Sequence, residues 1–308
     1  MRMRLSVVIV SWNTRELLRN CLLTVVSESK RLEPASVEVF VVDNGSTDGT
    51  VEMIRENFPS TTLIANRENI GFAAANNQAL TRSNGDYVLL LNPDTELRPD
   101  ALGRMVRFLD LRMYVGAVGP LLVSPDGSMQ ESCFPRPTLF REFWRLLYLD
   151  RLLRLAAYPM ATWGLERPRD VETVQGACIL MKRSVLDKIG LLDPNFFIYT
   201  EEIDLCRRIR SAGWRIYWLP AATVVHHGGQ STRQAASAMF IELYRSKLHY
   251  FRKHYGWTGG IVYKLILLIC ILPRLVLPPV ALAFSIQRTK MLSVLRLYRL
   301  LLLELKSL

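Results

Sequence analysis

Apolar and polar positions follow two different rhythms along the first half of the chain. Residues 5–10 and 37–42 are short, almost continuous apolar runs, whereas the segment between them, 13–27, has apolar residues spaced three and four positions apart. Short apolar runs are typical of buried strands, and the wider spacing is typical of an amphipathic helix. The order of strand, helix and strand predicts a βαβ unit.

The same alternation continues through most of the sequence. The pattern predicts helices at 50–57, 72–83, 101–111, 183–189 and 201–212, and strands at 62–64, 87–91, 115–118, 178–181 and 215–219. Such alternation predicts an α/β fold with a doubly wound, mostly parallel central sheet. Residues 133–170 break the rhythm, and we interpret them as a variable insertion that faces an acceptor or a membrane, with an amphipathic helix at 140–155.

The positive charge of the protein is concentrated near its C-terminus. Residues 1–244 carry 28 basic and 27 acidic side chains, and residues 245–308 carry 11 basic and one acidic. Because this basic tail is also strongly apolar, it predicts contact with an anionic membrane surface and argues against nucleic acid. Residues 261–286 are interrupted by charges and prolines, so a re-entrant or in-plane element is as plausible as a full span of ~20 residues.

The last segment has the pattern of an amphipathic helix. From residue 288 on, a helical projection places Arg288, Arg296, Arg299 and Lys306 in one quadrant, with leucines over the rest. This pattern is typical of a helix that lies on a membrane with its cations toward the headgroups. The alternative is a helix that docks on the protein's own core.

Composition excludes several classes of protein. Half of the 308 residues are apolar (50%), which favours a large folded core over disorder. The five cysteines are odd in number, scattered and never arranged as CxxC, which indicates reduced cytoplasmic thiols and neither a disulfide framework nor a zinc site. The first apolar run is short, β-branched and without a small-residue cleavage site, so we interpret it as a strand and not as a signal peptide.

The strand predicted at 87–91 is followed directly by Asn92-Pro93-Asp94. Open α/β sheets bind ligands beyond the carboxyl ends of their strands, so Asp94 lies where a ligand is expected. A carboxylate there can hold a hard divalent cation, which would neutralise charge on a departing diphosphate. Taken alone, the tripeptide is also compatible with an ordinary turn.

Polar residues follow the earlier predicted strands as well. They are Ser11, Trp12 and Asn13 after the first strand, residues 43–49 after the second, residues 66–72 after the third, and Asn76 and Asn77 in the next helix. Asp43 could accept a hydrogen bond from the imide of a nucleobase. The alternative for this loop is an Asx turn with a helix N-cap at Ser46.

Acidic and histidine residues form two further candidates. Glu201, Glu202 and Asp204 open a predicted helix, where a carboxylate could deprotonate an acceptor hydroxyl. Acids at the start of a helix and arginines in its later turns also suit the helix macrodipole without catalysis. His226 and His227 follow a strand-like segment and precede two glycines, as a metal or phosphate ligand could.

Together these motifs resemble the family 2 glycosyltransferases with a GT-A fold, in particular their rhamnosyltransferase-like branch. The resemblance covers about residues 4–255 and rests on four motifs near the N-terminus and one acidic motif. These are Ser11-Trp12-Asn13, Asp43-Asn44-Gly45-Ser46-Thr47-Asp48, Asn69-Ile70-Gly71-Phe72, Asn92-Pro93-Asp94 and Glu201-Glu202-Ile203-Asp204.

The resemblance implies a role for each site residue. Asp43 would contact uracil or thymine, Asp94 and His226 would bind Mg²⁺ or Mn²⁺, and Glu202 would be the base, with Glu201 and Asp204 beside it. The other donor-binding positions would be Ser11, Asn13, Asn69, Gly71, Asn76, Asn92 and Arg208. Asn92 stands where the DxD motif of the family commonly has its first acid. Glu202 stands where members of the family commonly have an aspartate after the glutamate that corresponds to Glu201.

The expected function is that of an inverting, metal-dependent glycosyltransferase on the cytoplasmic face of the inner membrane. It would move a sugar from dTDP-rhamnose or a UDP-sugar to a lipid-linked or cell-envelope glycan acceptor. Residues 1–255 would form the GT-A domain, and 256–308 a membrane-associated tail.

Three alternatives are weighed against this expectation. A sugar-phosphate nucleotidyltransferase normally has a glycine-rich loop after its first strand, and a nicotinamide dehydrogenase has GxGxxG; neither motif follows Val10. A noncatalytic membrane-associated partner that keeps the same fold remains the alternative from another class.

Overall fold

A computed structural model describes residues 3–32, 34–229, 236–282 and 288–307, with side chains for all of these except 151, 276–294 and 305–307. The strands are β1 (Arg4–Ser11), β2 (Ser36–Asn44), β3 (Thr62–Asn66), β4 (Tyr87–Leu91), β5 (Thr95–Leu97), β6 (Val115–Val123), β7 (Cys133–Phe134), β8 (Arg169–Val171), β9 (Thr173–Val174), β10 (Cys178–Lys182) and β11 (Arg215–His226). The helices are α1 (Arg15–Arg31), α2 (Thr50–Asn57), α3 (Phe72–Leu80), α4 (Ala101–Asp110), α5 (Leu139–Leu146), α6 (Arg183–Ile189), α7 (Glu201–Ser211), α8 (Ala236–Leu282) and α9 (Arg288–Ser307), with 3₁₀ turns at Leu149–Arg151 and Met160–Thr162.

The predicted mostly parallel central sheet is confirmed. Its strand order is β3-β2-β1-β4-β10-β6-β11-β5, with β8 also paired to β11. Strands β1 to β4 are parallel to one another, as are β6 and β11, whereas β5, β8 and β10 run antiparallel to their neighbours. The central strands β1 and β4 are mostly apolar, and every residue in them except Arg4 is buried, as expected for strands covered on both faces.

The carboxyl ends of the parallel strands meet at one edge of the sheet. Ser11 at the end of β1 is in register with Asp43 in β2, and Asn44 is in register with Asn66 in β3. Strand β4 pairs with β1 up to Leu91, so Asn92 leaves the sheet at the same edge. The predicted site residues of the first 100 positions therefore share this edge.

The helix predicted at 140–155 is wrong beyond its first half. Helix α5 ends at Leu146, and Tyr148 has a left-handed backbone with φ of 58°, which a continuing helix does not allow. Leu152 and Leu153 are 79% and 60% exposed, so the leucine spacing there does not mark a buried helical face. The predicted helix start at residue 13 is also displaced, because Asn13 has φ of 50° and α1 begins at Arg15.

Several strands were not predicted from the sequence because they are short. Strands β5, β7, β8 and β9 have two or three residues each, too few for a periodicity to be recognised. The strand predicted at 215–219 instead continues to His226, across a register shift between Leu219 and Thr223.

The chain divides into two compact units, and the sheet lies entirely in the first. The first unit comprises Met1–Arg136, Pro159–Phe197 and Glu201–Gln234, and the second comprises Pro137–Tyr158, Ile198–Thr200 and Ala235–Leu308. The division of function at residue 255 stays a prediction. All five cysteines are buried and free of disulfides.

The second unit is helical and has a buried ion pair. Lys247 Nζ lies 2.9 Å from the Glu142 carboxylate, and both side chains are buried. Helix α8 is bent at Gly256, which has φ of 72°. Beyond this bend the helix continues through the prolines to Leu282.

Helix α9 forms as predicted, but its apolar face is partly covered by its own unit. Leu295, Tyr298 and Leu301 are buried, and the ring of Tyr298 lies 5.6 Å from that of Phe240. This is the packing expected from docking on the protein's own core. Of the predicted cationic quadrant, Arg296 and Arg299 are exposed, while the side chains of Arg288 and Lys306 lie outside the described residues.

One helix in the described part of the chain has the length and composition to cross a membrane. It covers Ala236–Leu275, and its most apolar window has a mean hydropathy of 1.7.

Candidate active site

The turn after β4 places Asp94 beside His226. The Asn92 backbone N–H donates to the Ala177 carbonyl (2.9 Å), and the chain then enters β5, which pairs with the end of β11 so that Thr95 lies opposite His226. His226 Nε2 is 3.5 Å from Asp94 Oδ1, and both residues are almost fully buried. The unpredicted strand β5 is thus what unites two predicted metal ligands that are 132 positions apart.

The electrostatics of this pair suit a cation. Burial lowers the pKa of His226 against the opposing effect of Asp94, which favours the neutral imidazole. His226 Nε2 is buried without a hydrogen-bond partner, although it faces a carboxylate. A divalent cation satisfies a nitrogen lone pair and a carboxylate oxygen at once. Among the described residues there is no cluster of three histidine, cysteine, aspartate or glutamate side chains that could hold a metal ion.

Asp43 is only half satisfied by the protein. Its Oδ2 accepts the Ser46 backbone N–H (3.0 Å), which is the Asx turn considered as the alternative. Its Oδ1 is buried and without a partner, although the residue is 1% exposed. The alternative N-cap at Ser46 is wrong, because α2 begins after Gly49. Asp43 therefore combines a structural turn with an acceptor oxygen left for a ligand.

The loop after β1 is tied to this turn. Ser46 Oγ accepts the Asn13 backbone N–H (2.9 Å), and Asn13 Oδ1 accepts the Thr47 N–H (2.8 Å). The Ser11 and Thr14 hydroxyls are 2.9 Å apart. Ser11 and Asn13 are thus brought next to Asp43, and their donor-binding roles stay predictions.

An asparagine network holds the loop that contains Asn69. Asn44 donates to Asn69 Oδ1 (2.9 Å) and to the Gly71 carbonyl (3.2 Å), and it accepts from Asn66 (3.0 Å). Asn66 also exchanges two hydrogen bonds with Gln78. Asn69 Oδ1 in turn accepts the Gly71 N–H (3.0 Å), so this side chain is occupied in shaping its own loop.

Gly71 is required by a close approach to residue 197. It has φ of 89°, and a Cβ built on it would lie 2.8 Å from the Phe197 carbonyl oxygen. Asn76 and Asn77 also have structural contacts: Asn76 donates to the Phe72 carbonyl, and Asn77 forms two hydrogen bonds with the backbone of Leu192. The polar function expected for the asparagine pair is at least partly the joining of helix α3 to its neighbours.

The three acids of helix α7 differ sharply from one another. Asp204 is fully buried and lies 2.8 Å from Arg208 Nε, whose other nitrogens donate to the carbonyls of residues 189–191. Glu201 is 6% exposed and its Oε2 is buried without a partner. Burial, followed by repulsion from Glu202, raises the pKa of Glu201 well above its usual value. Asp204 and Arg208 thus have structural partners, and their predicted site roles stay predictions.

Glu202 packs against the turn before β10, which also anchors Asn92. A Cβ on Gly176 would lie 3.3 Å from Glu202 Cβ, so Glu202 leaves no free space at residue 176. The next residue, Ala177, accepts the Asn92 N–H. Tyr199 and Thr200, directly before α7, have left-handed backbones with φ of 68° and 73°. Strain of this kind in non-glycine residues is typical of functional sites.

Two contributors to the site were missed from the sequence. Gln130 bonds both His226 Nδ1 (2.8 Å) and the His226 carbonyl (2.8 Å). Gly176 allows the approach of Glu202. Neither residue follows a predicted strand end, so neither was recognised as a candidate from the sequence.

Comparison with known proteins identifies the family. The family model described as "Glycosyl transferase family 2" matches residues 6–190, which is more than half of the chain. The chain belongs to glycosyl transferase family 2. This family 2 glycosyltransferase is 29% identical to the N-acetylglucosaminyl-diphospho-decaprenol L-rhamnosyltransferase of Mycobacterium tuberculosis over 246 residues, 72% of this chain and 76% of the relative.

Other relatives agree with this assignment. Rhamnosyltransferase WbbL of Escherichia coli is 23% identical over 165 residues, 54% of this glycosyltransferase and 61% of the relative. The solved mannosyltransferase of Pyrobaculum calidifontis in complex with GDP-Man and Mn²⁺ has a TM-score of 0.56 at 20% identity, covering 98% and 86% of the two chains. GalNAc-T7 with UDP, GalNAc and Mn²⁺ has a TM-score of 0.54 at 16% identity, covering 73% and 44%. The predicted rhamnosyltransferase-like resemblance and GT-A fold are confirmed.

Proposed function

We propose that this glycosyltransferase inverts the anomeric configuration as it moves a sugar from a dTDP- or UDP-linked donor to a lipid-linked acceptor. The observation that carries the proposal is that three predicted site residues of the first unit each have a buried side-chain atom without a hydrogen-bond partner: Asp43 Oδ1, Glu201 Oε2 and His226 Nε2. Leaving a buried polar atom unbonded costs about 1–3 kcal/mol, so several in one unit call for a ligand that satisfies them.

Asp43 is proposed to recognise the base of the donor. Its free Oδ1 is an acceptor, and uracil and thymine present an imide N–H that donates. Cytosine has an unprotonated ring nitrogen at the same position. The lone pair of that nitrogen would face a lone pair of the carboxylate oxygen, and the two would repel each other. The expected preference is therefore for UDP and dTDP over CDP.

Asp94 and His226 are proposed to hold Mg²⁺ or Mn²⁺. Their facing oxygen and nitrogen, 3.5 Å apart and buried, fit a small oxygen- and nitrogen-binding cation. The bound ion would supply positive charge that stabilises the diphosphate leaving group. The Mn²⁺ in the structures of the mannosyltransferase and of GalNAc-T7 supports this choice of ion class.

Glu202 is proposed as the base. It would take the proton from an acceptor hydroxyl while that oxygen attacks the anomeric carbon on the face opposite the diphosphate, so the new bond has the inverted configuration. The raised pKa of Glu201 favours its protonated form, which cannot accept a proton, and Asp204 is paired with Arg208. Glu202 is therefore the acid of this group that is left to act as the base.

The membrane location is proposed from the second unit. On helix α8, Trp257, Ile261, Leu265 and Ile269 follow one another at intervals of four and are 36–75% exposed. This apolar stripe, within a segment with 11 basic residues and one acidic, suits an anionic cytoplasmic leaflet. The acceptor named for the Mycobacterium tuberculosis relative, a diphospho-decaprenol, supports a lipid-linked acceptor here.

The test is a transfer assay with the full-length protein in vesicles. Labelled dTDP-rhamnose, UDP-galactose and UDP-N-acetylglucosamine would each be offered with polyprenyl-diphospho-N-acetylglucosamine, in the presence of Mn²⁺ or of EDTA. We expect metal-dependent transfer from one donor, with inversion seen by NMR of the product. Donor binding without transfer to any acceptor would favour the noncatalytic partner.

A further inference from the structure

Gln130 lies beside His226 and forms hydrogen bonds with two parts of that residue. The chain turns back after β6, and the Gln130 N–H donates to the Leu122 carbonyl (2.9 Å), which aligns this residue with the end of β11. Its side-chain amide then contacts the His226 carbonyl at 2.8 Å and His226 Nδ1 at 2.8 Å. The same amide nitrogen lies 3.1 Å from Ser124 Oγ.

These contacts fix which way the Gln130 amide points. The His226 backbone carbonyl can only accept, so the amide nitrogen must face it. The amide oxygen therefore faces His226 Nδ1. Because an amide oxygen can only accept, Nδ1 must carry the proton of that hydrogen bond. In a neutral imidazole with Nδ1 protonated, Nε2 holds a lone pair.

The free lone pair points toward Asp94. His226 Nε2 lies 3.5 Å from Asp94 Oδ1 and has no hydrogen-bond partner. The His227 N–H donates to the Asp94 carbonyl (2.9 Å), which holds the two segments together. In the opposite tautomer, His226 Nε2–H could donate a hydrogen bond to the Asp94 carboxylate. His226 and Asp94 would then be unable to bind a cation between them.

We propose that Gln130 is a positioning residue, which holds His226 in the tautomer with Nε2 unprotonated and so keeps His226 and Asp94 available to a divalent cation. This inference rests on the proposed metal site. Hydrogen bonds from the distal nitrogen of a metal-binding histidine commonly set its tautomer, and their removal weakens metal affinity about 10- to 100-fold.

The first test observes the tautomer without any metal or substrate. The full-length protein in detergent, labelled with ¹⁵N at histidine, would be studied by long-range ¹H–¹⁵N correlation, with the His226 signals assigned from a His226→Asn sample. We expect a protonated Nδ1 and a bare Nε2. A protonated Nε2 in the wild-type protein would overturn the proposal, whether or not any variant folds.

The second test compares variants at residue 130. Gln130→Leu removes both contacts and should shift His226 toward the Nε2–H tautomer, with Mn²⁺ affinity in the presence of UDP or dTDP falling about 10- to 100-fold. Gln130→Glu keeps an oxygen opposite Nδ1 and should retain the wild-type tautomer. Ser124→Ala is the matched control, since its hydroxyl contacts the same amide nitrogen but neither imidazole nitrogen.

The outcomes separate this inference from the function on which it rests. If Asp94→Asn leaves Mn²⁺ binding intact, the metal site itself is misplaced. If Asp94→Asn abolishes Mn²⁺ binding while Gln130→Leu changes neither the tautomer nor the affinity, only the role of Gln130 is wrong.

Discussion

Two groups of polar side chains in the first unit differ in how completely they are bonded. In the asparagine network between β2, β3 and α3, Asn44, Asn66 and Gln78 donate and accept hydrogen bonds among themselves. In the second group Asp43, Glu201 and His226 each leave one buried atom without a partner. Both groups consist of ordinary polar side chains, and residue type alone does not distinguish them in the sequence.

The difference distinguishes polar side chains that stabilise the fold from polar side chains that are available to bind a ligand. A satisfied network stabilises the loop it belongs to, whereas an unsatisfied buried atom costs stability until a ligand pairs with it. We therefore expect changes in the first group to affect folding, and changes in the second to affect binding or turnover with little loss of stability.

The largest expected effect is at the proposed base. Glu202→Gln removes the proton acceptor while keeping the shape of the side chain, so turnover should fall about 10³-fold. Donor affinity by calorimetry and the unfolding temperature should change little. The control Glu172→Gln alters a carboxylate that pairs with Arg136 and should leave turnover near the wild-type value. Equal losses in both variants would remove Glu202 from the chemistry.

The satisfied network should instead respond in stability. Asn44→Leu removes the partner of the half-buried Asn66 and Asn69 side chains. It also takes the side-chain donor away from the buried Gly71 carbonyl, which should lower the free energy of unfolding by about 1–3 kcal/mol. Chemical denaturation of the purified protein measures this directly. A stable Asn44→Leu protein that has lost only nucleotide affinity would place Asn44 in the second group and break the comparison.

Asp43 should combine a smaller binding effect with a change of base preference. Asp43→Asn keeps an oxygen for the turn with Ser46 but replaces the free acceptor by a donor. We expect UDP and dTDP to bind about 10-fold more weakly, the equivalent of one hydrogen bond, and CDP to gain affinity. Competition calorimetry with the three nucleotides is the measurement, and unchanged ranking would contradict base recognition at this residue.

The smallest expected effect concerns Glu201 and pH. Its pKa in the folded protein is raised, chiefly by burial, so the stability contributed by its protonated form is present below its ordinary pKa and is lost as pH rises through the folded value. Glu201→Gln cannot ionise and should therefore not suffer that loss of stability. Thermal unfolding should show a gain over wild type that grows from pH 5 to pH 8. A constant gain would mean that Glu201 does not titrate in this range.

Much of the fold could be predicted because long elements have clear periodicity. Helices α2 and α6 begin and end at the predicted residues, and β1, β2 and β4 differ by at most two residues at either end. The second half of the helix predicted at 140–155 is wrong because Leu152, Leu153 and Leu155 face solvent, which their spacing in the sequence does not reveal. Strand β5 failed because three residues carry no period.

The site was predictable in its residue types but not in its connections. The position of Asp94 after a buried strand is visible in the sequence, whereas its proximity to His226 depends on the β5–β11 pairing. The partner of Asp204, Arg208, lies one helical turn away and could have been recognised as an i, i+4 pair. Gln130 reaches His226 through a turn between distant segments, and local sequence offers no signal for that contact.

The most direct test of the account is calorimetric titration of the full-length protein with UDP, dTDP and GDP, each with and without Mn²⁺, using wild type and Asp94→Ala. The account predicts Mn²⁺-dependent binding of UDP or dTDP that disappears in the variant, while GDP binds weakly in both. Binding that is equally tight without Mn²⁺, or equally tight in Asp94→Ala, would contradict a metal site at Asp94 and His226.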